Sequence, residues 1–224
     1  MINLEDIIIC SDDHLLVIDK PAGLLSLPDG YDATLPHLRS VLEPDFGRLW
    51  IVHRLDRETS GVILLARNAD AHRTLNAQFA NRHISKTYHA LVTKNPRWDE
   101  KLVNLPLRTN VGHRNRTAVD HRRGKSASTH LRVLEQFNDY ALVEAAPKTG
   151  RRHQIRAHLY SQGHPVLSDP LYGTGEISPL IDRLALHAVS LTIQHPHTGE
   201  NKSFEAPYPP DFRAALRRLL PKRV

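Results

Sequence analysis

The sequence predicts a mixed α/β chain, and three observations carry that expectation. Val62-Ile63-Leu64-Leu65-Ala66 is an unbroken apolar run of strand length, the pattern of a strand buried within a mixed sheet. Lys86-Thr87-Tyr88-His89-Ala90-Leu91-Val92 alternates as a strand does, with Tyr88, Ala90 and Val92 on one side. Between the two, Ala71, Leu75 and Phe79 recur every four residues, the spacing of a helix with one buried face.

The elements follow in order. Residues 15–18 form a short apolar strand that ends where Pro21 and Gly23 force a turn. Residues 34–42 have helical apolar spacing, with Thr34 as the cap and Pro36 in the tolerated first turn. Asn68 or Asp70 caps the helix of Ala71, Leu75 and Phe79. Residues 107–129 then turn polar, with Arg108, Arg114, Arg116, Arg122, Arg123 and Lys125 against one acid, Asp120. Bent at Gly112 and Gly124, this stretch reads as a long loop or ribbon suited to a phosphate backbone. Thr129, Leu131 and Val133 share a strand face, and a turn at Asn138-Asp139 leads into a strand over residues 140–145. A helix opens within residues 148–159 and is ended by Gly163. Its Ile155 and Leu159 face the core, and Arg152, Arg156 and Tyr160 form a neighbouring stripe. A strand over residues 186–193 reaches a hairpin turn at residues 195–199, and the last helix is capped by Asp211 and stops at Pro221; its Arg213, Arg217 and Arg218 either help bind RNA or face solvent, the favoured reading.

Composition narrows the function. With 224 residues the chain can bury a substantial core. Its net charge of +6 favours a polyanionic partner over a membrane or an acidic ligand. Cys10 is the sole cysteine, which excludes an internal disulfide framework and fits a reducing compartment. The acidic start Met1-Ile2-Asn3-Leu4-Glu5-Asp6 is not that of a signal peptide, and no apolar run approaches spanning length, so a cytoplasmic protein is expected. Fifteen histidines invite a metal, yet none falls in a His-Glu-x-x-His pattern and one cysteine cannot build a zinc ribbon. Gly173-Thr174-Gly175 lacks the third glycine of a dinucleotide fingerprint, and no Walker loop or Gly-x-Ser-x-Gly elbow occurs; neither metal nor cofactor is expected.

The stretch most suited to chemistry is His53-Arg54-Leu55-Asp56-Arg57-Glu58-Thr59-Ser60-Gly61. It sets Asp56 between two arginines, on a loop that runs into the buried strand. Flanking guanidinium groups favour the ionised carboxylate, the condition for a nucleophile rather than a general acid. These nine residues resemble the His-Arg-Leu-Asp-x-x-Thr-Ser-Gly signature of the RluA-type pseudouridine synthases, and the match is complete. Lys20-Pro21-Ala22-Gly23 is similar to that family's Lys-Pro-x-Gly, Lys86-Thr87-Tyr88 to its Lys-x-Tyr, and residues 124–129 to its Gly-Lys-x-Ala-x-Thr. Gly150-Arg151-Arg152-His153-Gln154-Ile155-Arg156 resembles a further motif, with Arg152 where the family more often has a small hydroxyl residue. Residues 163–173 follow the family except that Ser168 replaces a usual glycine.

The resemblance implies a pseudouridine synthase catalytic fold: a long central, mostly antiparallel sheet in two lobes flanked by helices, as one catalytic domain over residues 1–224 without an accessory RNA-binding domain. It implies an isomerase that detaches a uracil from C1′ of its ribose, turns it and rejoins it through C5, in ribosomal or transfer RNA, acting as a monomer. Asp56 is then the catalytic carboxylate, Arg156 its ion-pair partner and Tyr88 the ring against the target base, with Arg54, Lys20 and Ile155 at the RNA. Lys20 has a second reading, as part of a turn that shapes the pocket without touching substrate. Two other functions stay open on the residues alone. A nucleoside N-glycosyl hydrolase would need Glu58 as a second carboxylate, and a noncatalytic RNA-binding module would need only the basic stretch and Tyr88.

Overall fold

The structure is a computed structural model that describes residues 3–112 and 115–220. Met1, Ile2, Arg114 and the expected helix stop Pro221 lie outside the described residues. The chain begins with β1 (Ile8–Ser11), β2 (Leu15–Lys20), α1 (Leu38–Phe46), β3 (Trp50–Ile51), β4 (Ser60–Ala66) and α2 (Ala69–Ala80). It continues through β5 (Ser85–Thr93), β6 (Glu100–Asn104), β7 (Leu107–Val111), β8 (Arg116–Val119), β9 (Ser128–Gln136) and β10 (Tyr140–Pro147). It closes with α3 (Gln154–Ser161), β11 (Leu186–Gln194), β12 (Asn201–Glu205) and α4 (Pro210–Leu219). The class is mixed α/β, with helices against the strands of a large sheet. No helix among the described residues is long and apolar enough to cross a membrane.

Two compact units divide these elements, Met1–Lys86 with Ala188–Pro207 and Thr87–His187 with Tyr208–Val224. In the first, strands lie in the order β1, β2, β4, β11, with β12 on β11 and β3 on β4. All seven residues of β4 are buried, which is why its sequence shows no polar alternation. Leu15, Val17, Val62, Leu64 and Ala66 pack there against Leu75 of α2 and against Leu191, Ile193 and Phe204. Asn68 caps α2 by accepting from the Ala71 N–H at 2.9 Å. The first helix begins later than its apolar spacing predicts. His37 and Ser40 form a reciprocal cap in which Ser40 N–H donates to His37 Nδ1 and His37 N–H to Ser40 Oγ. Thr34 instead turns its hydroxyl onto Asp32 at 2.5 Å.

In the second unit β5, β10, β9 and β6 follow one another in antiparallel pairings, and β7 with β8 makes a separate two-stranded ribbon where a long loop or ribbon was expected. The core joins Ala90, Leu91, Val92, Leu131 and Val143 to Ile155 and Leu159 of α3 and to Phe212 of α4. α3 starts at Gln154, directly after His153 in the left-handed region at φ 53°, and Gly163 at φ 83° follows its end. Asp211 is not the cap of α4, as the sequence suggested. Pro209 holds that position, and Asp211 lies in the first turn, where its carboxylate pairs with Arg183 at 2.5 and 2.9 Å.

Candidate active site

Asp56 lies in the first unit, half-buried on the loop between β3 and β4. The residues around it are gripped through their backbones. Ser26 Oγ donates to the Leu55 carbonyl at 2.8 Å and accepts from the Leu55 N–H at 3.1 Å. The Arg57 carbonyl accepts from the Gly23 N–H at 2.9 Å and from Lys20 Nζ at 3.1 Å, and Thr59 N–H closes a turn onto the Asp56 carbonyl at 3.1 Å. Arg57 turns its Nε to the Gly23 carbonyl at 3.1 Å and lies 3.7 Å from Glu58. The loop after β2 and the loop before β4 are therefore stitched into one piece.

Lys20 makes much of that seam. Its side chain is fully buried at 0% exposure, and its ammonium donates to the carbonyls of Pro21, Leu24 and Arg57 at 2.9, 2.8 and 3.1 Å. A buried ammonium supplied with three acceptors binds loops together. Beside it on β2, burial pushes the Asp19 carboxyl up to about 6 against the pull of Lys20. Arg54 is exposed at the surface of the same unit.

Arg156, Ile155 and Tyr88 belong to the second unit. Arg156 is 4% exposed, and its Nε and Nη2 donate to the two oxygens of Asp169, both at 2.7 Å. Asp169 is itself fixed, accepting from the N–H groups of Leu171 and Tyr172 at 2.9 and 3.1 Å. The guanidinium carbon also stands 5.1 Å from the centre of the Tyr172 ring. This pair uses the Nε edge of the fork. Ile155, expected at the RNA, is turned inward: it is 6% exposed and sits in the core cluster. Tyr88 lies on β5, opposite Ala145 of β10, half-buried against the same core.

The helix that carries Arg156 is aligned by Gln154. Gln154 Oε1 accepts from Thr149 Oγ1 and the Arg151 N–H at 2.7 and 3.0 Å, while Nε2 donates to Ser128 O and Thr129 Oγ1 at 2.9 Å each. His158, fully buried, adds contacts to Thr129 Oγ1 and the Leu105 carbonyl at 2.8 and 3.0 Å. Ser168 takes the left-handed conformation a glycine would adopt without strain, φ 54°, and its hydroxyl is bonded to Ile181 O and Ser178 N. Arg152 reaches Asn110 Oδ1 of β7 at 3.0 Å.

The ribbon is clipped to the start of α3 by Tyr172, whose hydroxyl accepts from the Thr117 N–H at 2.9 Å, donates to the Thr117 carbonyl at 3.0 Å and lies 3.3 Å from His153 Nδ1. Burial raises this hydroxyl's pKa, and Thr117 and Arg156 oppose the rise. Arg122, Arg123 and Lys125 are exposed on the turn after β8. The one acid there, Asp120, accepts from the N–H groups of Arg122 and Arg123 and pairs with Arg108 at 3.1 Å. Those backbone bonds, Arg123's first, hold its carboxyl below the usual range, so the turn presents its cations around a carboxylate that is already engaged. Asp169 and Tyr172 were not singled out by sequence; their only signal was their place in the stretch 163–173.

Comparison with known proteins bears on this arrangement. The family model described as RNA pseudouridylate synthase matches residues 14–161. The dual-specificity RNA pseudouridine synthase RluA of Escherichia coli K12 is 40% identical over 202 residues, spanning 90% of this chain and 92% of that protein. The ribosomal large subunit pseudouridine synthase D of Nitrosomonas europaea is 38% identical over 226 residues, which span 95% of this chain and 64% of that protein. Among solved structures, human RNA pseudouridylate synthase domain containing 4 superposes with a TM-score of 0.80 at 26% identity, covering 96% of this chain and 94% of that one.

Proposed function

The chain belongs to the RNA pseudouridylate synthase family, among its RluA-type members, and from that premise we propose which residues act on the RNA and what they do. It is an isomerase acting on RNA. The reaction breaks the bond from N1 of uracil to C1′ and forms one from C5 to C1′; the C5 proton leaves and N1 gains one, so no oxidant, reductant or phosphate donor is consumed.

Asp56 is the catalytic carboxylate, the anion beside which the glycosidic bond breaks. Arg156 is its ion-pair partner, a charge-assisted contact that orients the carboxylate. Tyr88 presents a ring face to the extruded uracil, a way of holding a base that is tolerant of sequence. Arg54, exposed two residues before Asp56, contacts the RNA where the uridine leaves its stack. Lys20 and Ile155 shape the site from within. The exposed cations of the ribbon meet phosphates, with affinity that falls as salt rises. The substrate is a uridine in ribosomal or transfer RNA, and a relative named for the ribosomal large subunit supports the ribosomal half of that reading. The protein acts in the cytoplasm as a monomer.

The observation that carries this reading is the seam around Asp56: backbone bonds at Leu55, Arg57 and Thr59 hold the peptide and so fix the loop from which the carboxylate projects. The test is tritium release from RNA containing 5-tritiated uridine. The wild-type protein frees tritium from C5, and Asp56→Ala stops the release while RNA binding stays near the wild-type level. Turnover in Asp56→Ala would remove Asp56 from the chemistry, and free uracil as product would point to a hydrolase instead.

A further inference from the structure

β4 has two edges. One pairs with β2 from Leu15↔Ala66 to Lys20↔Gly61. The other is shared among several partners. β3 takes only Leu65 and Ala66, through Ile51 and Trp50. At the opposite end, β11 comes so close to Gly61 that a Cβ there would stand 2.1 Å from the Ala188 carbonyl oxygen. Continuing the β3 register would set Val52 opposite Leu64, but β3 stops at Ile51.

At that rung the Leu64 N–H donates to Nε2 of His53 at 3.0 Å. A side chain stands where a strand would be. Because the donor is a backbone N–H, Nε2 must carry a lone pair, and the neutral ring keeps its proton on Nδ1. The ring stacks on Phe79, with centroids 4.8 Å apart and planes 22° from parallel. Burial, with the Lys86 ammonium adding to it, pushes the imidazole down to about 3, so the accepting form persists at neutral pH.

His53 is the first of a series. Going along the chain, the anchors fall on alternate residues: the His53 ring on Leu64, Leu55 on Ser26, the Arg57 carbonyl on Lys20 and Gly23, and the Thr59 N–H on the carbonyl of Asp56 itself. We propose that His53 is a positioning residue for Asp56, its imidazole replacing a strand beside β4 and so fixing the path from which the carboxylate projects. The inference rests on Asp56 as the reacting group. Displacing a catalytic group by about 1 Å costs on the order of a hundredfold in rate, so an anchor three residues away has room to matter.

Two variants and one spectrum test it. His53→Leu keeps bulk and loses the acceptor, whereas His53→Gln offers an amide oxygen at a comparable reach. In the tritium-release assay, kcat should fall roughly a hundredfold in His53→Leu with KM for RNA little changed, and His53→Gln should recover most of the loss. Full activity of His53→Leu overturns the proposal. So does equal inactivity of both variants at an unchanged melting temperature, because that result means proton chemistry at the ring. Nitrogen NMR of the wild-type imidazole gives a readout independent of turnover: an unprotonated Nε2 bonded to the Leu64 amide is required, and a proton on Nε2 overturns the assignment. If His53→Leu fails to fold, this spectrum together with the activity of His53→Gln decides. Turnover in Asp56→Ala would dismiss Asp56 while leaving the spectrum as expected, whereas an inactive Asp56→Ala with the wrong tautomer at His53 would dismiss only the anchor.

Discussion

Asp56 and Arg156 are held by opposite means. Asp56 is half-buried, and its surroundings are gripped through the peptide: Ser26 takes both polar groups of Leu55, and Lys20 and Gly23 take the carbonyl of Arg57. Arg156 is almost wholly buried and gripped through its own side chain, by two bonds to Asp169. The contrast follows from donor and acceptor arithmetic. A guanidinium has five N–H donors in a rigid fork and can commit two of them to one carboxylate, whereas the peptide on either side of Asp56 offers N–H and carbonyl groups that the loop after β2 can grip.

Breaking the Arg156 side of this contrast should cost most. Asp169→Asn takes from a buried guanidinium the charge that grips it through two bonds, and unfolding by denaturant should register a loss of about 3–5 kcal/mol. A loss below about 1 kcal/mol would mean that Arg156 is held mainly by something else. Lys20→Met tests the other side. It leaves the carbonyls of Pro21, Leu24 and Arg57 short of a donor, so a stability loss of about 1–3 kcal/mol is expected, with lower kcat and unchanged RNA affinity. Weaker RNA binding at unchanged stability would instead assign the ammonium to phosphate.

Replacing Arg122, Arg123 and Lys125 together by alanine addresses the surface rather than the grip. RNA binding should weaken and depend less steeply on salt, by about 0.7–0.9 in the logarithmic slope for each phosphate contact removed, while kcat holds. Equal salt slopes for variant and parent would take the ribbon off the RNA. Asp19→Asn should have the smallest effect. Folded Asp19 titrates near 6, above its ordinary 3.8, so the folded state holds the proton more tightly. Stability from this group therefore falls as pH rises from about 4 to 6 and stays reduced above that. Asp19→Asn should raise the melting temperature at pH 7 and leave it unchanged below pH 4; the reverse order would mean that the carboxylate is stabilising.

Local patterns revealed the regular elements. The apolar run of β4, the four-residue spacing on α2 and the shared face of Thr129, Leu131 and Val133 are each stated by neighbouring residues. The beginning of α1 was hidden because His37 is not an expected capping residue and acts through Ser40. Short β1, β3 and β6 carry too few residues to show a period, and β3 ends after two. The motifs singled out Asp56, Tyr88 and Arg156, but Asp169 lies 13 residues beyond its arginine and Arg57 lies 37 beyond Lys20. Contacts at that separation leave no periodic trace. Burial of Lys20 is likewise invisible to composition, which ranks lysine among surface residues.

Gly61 ends the nine-residue motif at φ 109°, with the Ala188 backbone against its α-carbon. A methyl group there would wedge two neighbouring chains apart at the root of the Asp56 loop, so the final letter of the motif measures a gap one hydrogen atom wide. Randomising that codon should return glycine alone among folded proteins, whatever reaction is selected for.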